Sequence, residues 1–165
     1  MGEWACLGLI YPAQTHGFAV AAHLRPNGDV GRVWSLSRPL TYRAIDQLVQ
    51  RGLVQAVGEE RGIAGGNRTI VAATRTGRAQ LRKWLRTPVE HLRDVRSELL
   101  LKLVLAQRCD VDVAEMLLDQ RIRVSQMEAA LATQAEADPD DVVARWRVES
   151  ARAAHRFVEH LIVNR

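Results

Sequence analysis

Apolar positions in the first half of this chain come in short, separated groups. Glu3 to Ile10 is a nearly continuous apolar run that stops before Tyr11-Pro12, and Gly17 to Leu24 is a second. Both predict short helices. Arg25-Pro26-Asn27-Gly28-Asp29 then breaks the pattern with dense turn chemistry. Ser37 is a candidate N-cap, and Pro39 suits a first helical turn, where its missing N–H has no helical partner. The helix so begun carries Thr41, Ile45, Leu48 and Val49 on one face. Gly52 ends it, because glycine enters the left-handed region without a Cβ clash.

Two short runs of β character follow, Leu53 to Val57 and Thr69 to Ala73. The glycine-rich, charged segment Gly58 to Arg68 between them reads as an exposed loop, with Gly62, Gly65 and Gly66 at its tip. Thr74 can cap a further helix to about Arg86, closed by Thr87-Pro88.

From there the pattern is helical throughout. Val95 to Gln107 is apolar almost all round, which predicts burial on several sides. Asp110 or Asp112 can start a long helix to about Ala137. Its seam is Val113, Leu117, Gln120, Val124, Met127, Leu131 and Gln134, widened by Leu118 and Ile122. Asp138-Pro139-Asp140-Asp141 is a helix start, with a cap, an early proline and acids facing the helix dipole. The last helix carries Val143, Trp146, Ser150, Ala153, Phe157 and Leu161. The pattern divides the chain at residues 1–88 and 89–165.

Composition adds one asymmetry. The 165 residues are 47% apolar, enough for a real core, with a net charge of +4. Residues 1–94 hold 13 Lys and Arg against 7 Asp and Glu, a balance of +6; the rest hold 10 against 12, a balance of −2. The positive field therefore sits in the first half, where it can attract a polyanion. Cys6 and Cys109 form no CxxC pair, which fits a reducing cytoplasm. Trp4 to Tyr11 is too short for a signal peptide and lacks a basic flank. Leu99 to Ala106, interrupted by Lys102, reads as a buried helix and not as a membrane span.

Short helix, turn, helix and glycine-tipped hairpin is the layout of a winged helix-turn-helix. Its second helix presents Arg43, Asp46, Gln47 and Gln50 outward, with Tyr42 at the flank. A major groove admits one helix, and Arg or Gln pairs bidentately with base edges. The hairpin supplies Arg61, Asn67 and Arg68 for the phosphate backbone.

The same residues resemble a known family. Trp4-Ala5-Cys6-Leu7-Gly8-Leu9-Ile10 with His16-Gly17-Phe18-Ala19 is similar to the opening of PadR-type transcriptional regulators. Ser37 to Leu48 with Gly52-Leu53-Val54 resembles their recognition helix and its exit. Arg68-Thr69 and Thr74-Arg75-Thr76-Gly77-Arg78 resemble the second wing strand and the next helix start. The likeness covers the first half with ordered motifs, whereas the second half matches in helical pattern. Val71 departs from the family, which often has an aromatic there, and Arg75 stands where proline is common. The chain also begins inside what is often a slightly longer first helix.

The resemblance implies a mainly α fold with a small β-hairpin wing and a C-terminal helical dimerisation domain. It implies a cytoplasmic homodimer that binds a near-palindromic operator in double-stranded DNA, acts as a repressor and responds to a small molecule. Position by position it carries Arg38, Tyr42, Arg43 and Arg68 over as DNA contacts; joined to the helix and wing pattern, the DNA-facing set is Ser37, Arg38, Tyr42, Arg43 and Gln47 from the helix, and Arg61, Asn67 and Arg68 from the wing. Trp146 is a candidate platform for the small molecule, set against plain interface packing.

Chemistry of other kinds finds little footing. His155 and His160 are five apart, the wrong spacing for a helical ligand pair, so no metal is expected. The wing glycines are not followed by Lys-Ser or Lys-Thr, so they make no phosphate loop. Ser35 and Ser37 have no base partner, and no paired carboxylates occur, so neither catalysis nor a cofactor is expected. The competing reading is a dimeric helical adaptor, or a small-molecule sensor, that uses the winged fold as scaffold without specific DNA binding.

Overall fold

The computed structural model describes residues 1–61, 66–138 and 140–164. Along the chain lie α1 (Gly2–Ile10), β1 (Thr15–His16), α2 (Gly17–His23), α3 (Arg38–Gln50), β2 (Val54–Arg61), β3 (Asn67–Ala73) and α4 (Arg75–Leu85). Then come α5 (Leu92–Asp94), a π-helical stretch Val95–Leu99, α6 (Leu100–Cys109), α7 (Ala114–Ala137) and α8 (Val142–Val163). The fold is mainly helical with one small antiparallel sheet, as the pattern predicts. No described helix is long and apolar enough to cross a membrane.

The chain divides into two compact units. One is Met1–Leu85 with Leu100–Asp112; the other is Arg86–Leu99 with Val113–Arg165. The division expected between residues 88 and 89 places α6 in the second unit, whereas α6 packs with the first. The reason is its apolar surface: Leu101, Leu105 and Ala106 bury against the first unit's helices, with α1 and α4 as neighbours.

The apolar run of α1 forms the centre of the first unit, with Leu7 and Ile10 fully buried. Trp4 stacks on Trp84 of α4, ring centroids 5.1 Å apart and planes 7° from parallel. Lys102, which looked in the sequence like a polar interruption of α6, is buried with its ammonium 5.0 Å from the Trp84 ring centre. The ring face offsets part of the cost of burying that charge.

Helix α3 is amphipathic. Thr41, Ala44, Ile45 and Leu48 are buried and its other side is in solvent. Val49, expected on the inner face, is exposed; it follows Leu48 by one residue and so turns about 100° away around the helix. Ser37 sits at the N-cap, but its side chain caps nothing. Instead its carbonyl accepts bonds from the Thr41 N–H at 2.9 Å and the Thr41 hydroxyl at 3.0 Å.

The far end of α3 is a Schellman closure. Leu53 N–H donates to Leu48 O and Gly52 N–H to Val49 O, each at 2.9 Å, with Gly52 at φ +67°. Thr74 locks the next junction. Its hydroxyl donates to Gly52 O at 2.8 Å and accepts the Gly77 N–H at 3.0 Å, capping α4.

The sheet order is β1-β3-β2. The wing strands run further than their apolar residues imply, because the ladder continues through Glu59↔Thr69, Glu60↔Arg68 and Arg61↔Asn67. A bulge at Val57 shifts the register between Ala56↔Val71 and Gly58↔Ile70. Strand β1 is absent from the sequence reading. Its two residues pair as Thr15↔Val71 and His16↔Ile70, too short a run to show alternation. The expected tip glycines Gly62 and Gly65 lie outside the described residues, as does Pro139.

In the second unit α7 and α8 pack along most of their length. Val113, Leu117, Val124 and Leu131 are buried as the seam predicts. Gln120 is also fully buried, and its amide closes a pair of bonds with the backbone of Val89, accepting N–H at 2.7 Å and donating to O at 3.3 Å. Gln134, by contrast, is exposed. Leu118 and Ile122 do not widen this seam. They are 44% and 53% exposed on another face of α7.

The start of α7 also differs from expectation. Asp110 takes φ +51° and ends α6, with Val111 N–H reaching back to Ala106 O at 2.9 Å, and α7 begins only at Ala114. Asp141 caps α8, accepting from Val143 N–H at 2.8 Å and Ala144 N–H at 3.0 Å. Helix α8 buries Val148, Ala151, Ala154 and Val158. The expected face is a second apolar stripe that points outward, with Val143 66%, Trp146 71% and Phe157 36% exposed. Small side chains let helices approach closely, so the alanine-rich stripe is the one that packs inward.

Candidate nucleic-acid interface

Three local devices fix the approach to α3. His16 has extended backbone and accepts the Ala19 N–H on Nδ1 at 3.1 Å, capping α2 and leaving its ring proton on Nε2. Gly17 lies under Tyr42, where a Cβ would stand 2.7 Å from a ring carbon. Pairing of β1 with β3 ties His16 to the wing, with Gly17 next to it in the chain. Tyr42 is therefore a packing residue of the helix junction that still leaves 40% of itself in solvent.

The residues expected to face DNA fall into three groups. Arg38, Tyr42 and Arg68 come together. The Arg38 guanidinium lies 5.0 Å from the Phe18 ring centre and 5.9 Å from that of Tyr42, and the Arg68 guanidinium lies 5.4 Å from the Phe18 ring centre. Arg43 and Gln47 stand exposed on the outer side of α3, with Asp46 and Gln50 beside them, and Ser37 is exposed at its start. Arg61 and Asn67 form the last described pair of the hairpin. The Asn67 amide donates to Glu59 at 3.0 Å, so it serves the wing's own structure. Glu59 and Glu60 place two carboxylates on the same strand, a feature of the wing that the overall positive balance hides.

Phe18 is the residue that sequence reasoning passed over. It is 38% exposed, directly after the Gly17 that carries Tyr42. The available signal was an aromatic in the first turn of a helix too short to need one on its outer side.

Trp146, the expected ligand platform, stands 71% exposed on α8. A cavity of about 280 Å³ lies elsewhere, within the first unit, lined by Leu9, Pro12, Gln14, Thr15, Val20, His23 and Arg108 among others. At its edge Asp29 receives Arg108 at 2.6 Å and His23 at 2.7 Å. Burial opposes ionisation of Asp29, but His23, Arg108 and the Val30 N–H outweigh it and hold the carboxyl below its ordinary value.

Both thiols point inward. Burial, with a smaller push from Glu3, raises Cys6 to about 12. Burial raises Cys109 to about 11 against the pull of Arg108 and Arg78. At neutral pH both stay protonated and act as small apolar side chains. Among the described residues no cluster of three or more His, Cys, Asp or Glu could hold a metal.

The arrangement of a capped helix, an exposed polar outer side and an adjoining three-stranded wing has a counterpart of known structure. Bacillus subtilis PadR in complex with operator DNA superposes with a TM-score of 0.50 and 16% identity, over 98% of this chain and 96% of that one. The fold is that of PadR. Two further structures are similar in outline. They are smu.1604c from Streptococcus mutans UA159 (TM-score 0.47, 13% identity, 99% of each chain) and the PadR-like transcriptional regulator BC1756 from Bacillus cereus (TM-score 0.43, 18% identity, 99% and 97%). No family model matches this sequence, and no curated protein matches it. The PadR fold spans both units, so the C-terminal helices belong to it as much as the winged part does.

Proposed function

We propose that this chain is a PadR-family DNA-binding transcriptional regulator, a non-catalytic repressor that acts as a homodimer on a near-palindromic operator. The observation that carries the reading is the meeting of Arg38 and Arg68 at one exposed ring, on a fold whose PadR counterpart was crystallised with operator DNA. It brings basic groups of the helix start and of the wing to one exposed ring, where both can reach a duplex backbone. Arg43, Gln47 and Gln50 on the outer side of α3 read base edges. Arg61 and Arg68 hold phosphate.

A second copy covers the outward stripes of α7 and α8, where Leu118, Ile122, Trp146 and Phe157 lie exposed. Two-fold symmetry then sets the recognition helices about 34–36 Å apart, one turn of DNA. In this reading Trp146 is an interface anchor. The small-molecule effector is assigned to the cavity of the first unit. Thr15 in its wall pairs with wing strand β3, and Val20 and His23 belong to α2, which packs on α3. A ligand there acts on both DNA-facing elements.

The test is a titration of the full chain with DNA from upstream of its own coding region and with random DNA. Saturable binding that prefers the upstream DNA and weakens steeply with salt is expected, as for a dimer making about 6–10 phosphate contacts. Arg43→Ala should relax sequence preference, whereas Arg68→Ala should weaken all sequences evenly. Equal affinity for both DNAs at moderate salt would overturn the reading.

A further inference from the structure

We infer that Phe18 is a positioning residue for the DNA backbone, holding Arg38 of the recognition helix and Arg68 of the wing as one paired-guanidinium grip on phosphate. The inference rests on the regulator reading above and adds to it the side chain that couples the two elements. Both guanidiniums lie within 5.4 Å of the centre of the same ring, at 5.0 and 5.4 Å. Arginines are flexible, and two bearing like charge should separate in water. One aromatic ring approached by both attracts both cations and restricts their rotamers without neutralising them.

The alternative partner is close at hand. Glu60 is the cross-strand neighbour of Arg68, yet Arg68 forms no ion pair among the described residues, nor does Arg38. Their charge is therefore left for an outside anion. Planar guanidiniums suit a phosphodiester, whose oxygens accept two parallel N–H bonds.

The ring itself is held firmly. His16 caps the turn in which it sits, Gly17 beside it is packed under Tyr42, and β1 is paired to the strand that bears Arg68. Phe18 thus converts the strand pairing into a fixed distance between helix and wing. Its exposure has no core-packing explanation, because Val20 and Ala21 are the residues that α2 buries.

The experiment uses the full chain and a random-sequence 30-base-pair duplex, titrated at several salt concentrations. F18L, F18Y, R38A, R68A and the F18L combinations are compared with wild type. F18L should weaken binding about five- to tenfold with a shallower salt slope, and F18Y should bind within about twofold of wild type. R38A and R68A should combine less than additively with Phe18 present, and additively with small effects in F18L.

A second readout needs neither DNA nor a folded variant. Side-chain NMR of free wild type should show ring-current shifts at the Arg38 and Arg68 δ protons. Wild-type affinity in F18L, or unshifted δ protons in wild type, removes the inference and leaves the regulator reading standing. If wild type itself binds no duplex at low salt, the regulator reading fails and this inference falls with it.

Discussion

In the first unit most of the large aliphatic side chains end up inside, while Leu40, Val49 and Val57 stay exposed. Leu7, Ile10, Leu48, Leu81 and Leu105 are all buried within a single set of packed helices. In the second unit two long helices share a narrow core of Leu131, Val148 and Ala151, while Val142, Val143 and Trp146 remain 77%, 66% and 71% exposed. Both units draw on the same apolar vocabulary. The difference is geometric: several short helices packed on one another can cover most of their apolar faces, whereas two antiparallel helices cover one face each and leave the other uncovered by their own unit. The first unit thus covers most of its own apolar surface, and in the proposed dimer the uncovered stripe of the second is what a partner copy covers.

The largest expected effect breaks the first half of that contrast. Leu81 of α4 is fully buried, so Leu81→Ala should destabilise the first unit by about 2–5 kcal/mol. Trp4, Trp34 and Trp84 belong to this unit and Trp146 to the other, so fluorescence in a Trp146→Phe background reports on the first unit alone during urea unfolding. A loss under about 1 kcal/mol would mean that this core is looser than its burial implies.

The next prediction sharpens the second half. Trp146→Ala should leave the unfolding of the isolated subunit nearly unchanged and raise the dimer dissociation constant roughly thirtyfold, the ~2 kcal/mol of an aromatic hot spot. Analytical ultracentrifugation over a concentration series reads it. Unchanged self-association, or a wild type that stays monomeric at high micromolar concentration, would remove the partner-built description of this unit.

The two units were not equally legible in the sequence. The first announces itself through punctuation: Pro39, Gly52 and Thr74 each mark a junction that the structure then makes with identifiable hydrogen bonds. What it hid was β1, whose two residues have no periodicity to detect, and Phe18, whose partners lie 20 and 50 residues further along. In the second unit, helix limits were readable and helix faces were not. Trp146 and Phe157 dominate any apolar tally of α8, yet Val148, Ala151 and Ala154 are what it buries. Hydrophobicity says which positions avoid water. It does not say which of two apolar stripes packs against its own chain and which stays exposed. The polar seam position Gln120 was placed correctly, and its reason, the buried backbone of Val89 that it pairs with, became visible only in three dimensions.

Helix caps give a matched pair, one in each unit. Thr74→Ala removes a cap on α4 and two contacts to the carbonyls of Gly52 and Leu53, and should cost about 1–2 kcal/mol. Asp141→Ala removes the cap of α8 at an exposed site and should cost about 0.5–1 kcal/mol. Thermal unfolding followed by circular dichroism measures both. The reverse order would show that the second unit depends more on its termini than its long packed interface implies.

The smallest effect concerns acid. Asp29 receives His23 and Arg108, and its carboxyl titrates below the ordinary value of 3.8. A carboxyl with a lowered pKa in the folded state binds fewer protons there than in the unfolded chain. Its contribution is therefore in force above pH 3.8 and is lost as pH falls through the lower folded value. Asp29 is about half exposed, so solvent screening keeps the contribution small. Asp29→Asn should lower the melting temperature of the first unit slightly at pH 6. The two melting curves should converge as pH drops toward 3. A gap that persists at low pH would assign the effect to packing at the cavity edge, and a gap that widens there would reverse the sign argued for this group.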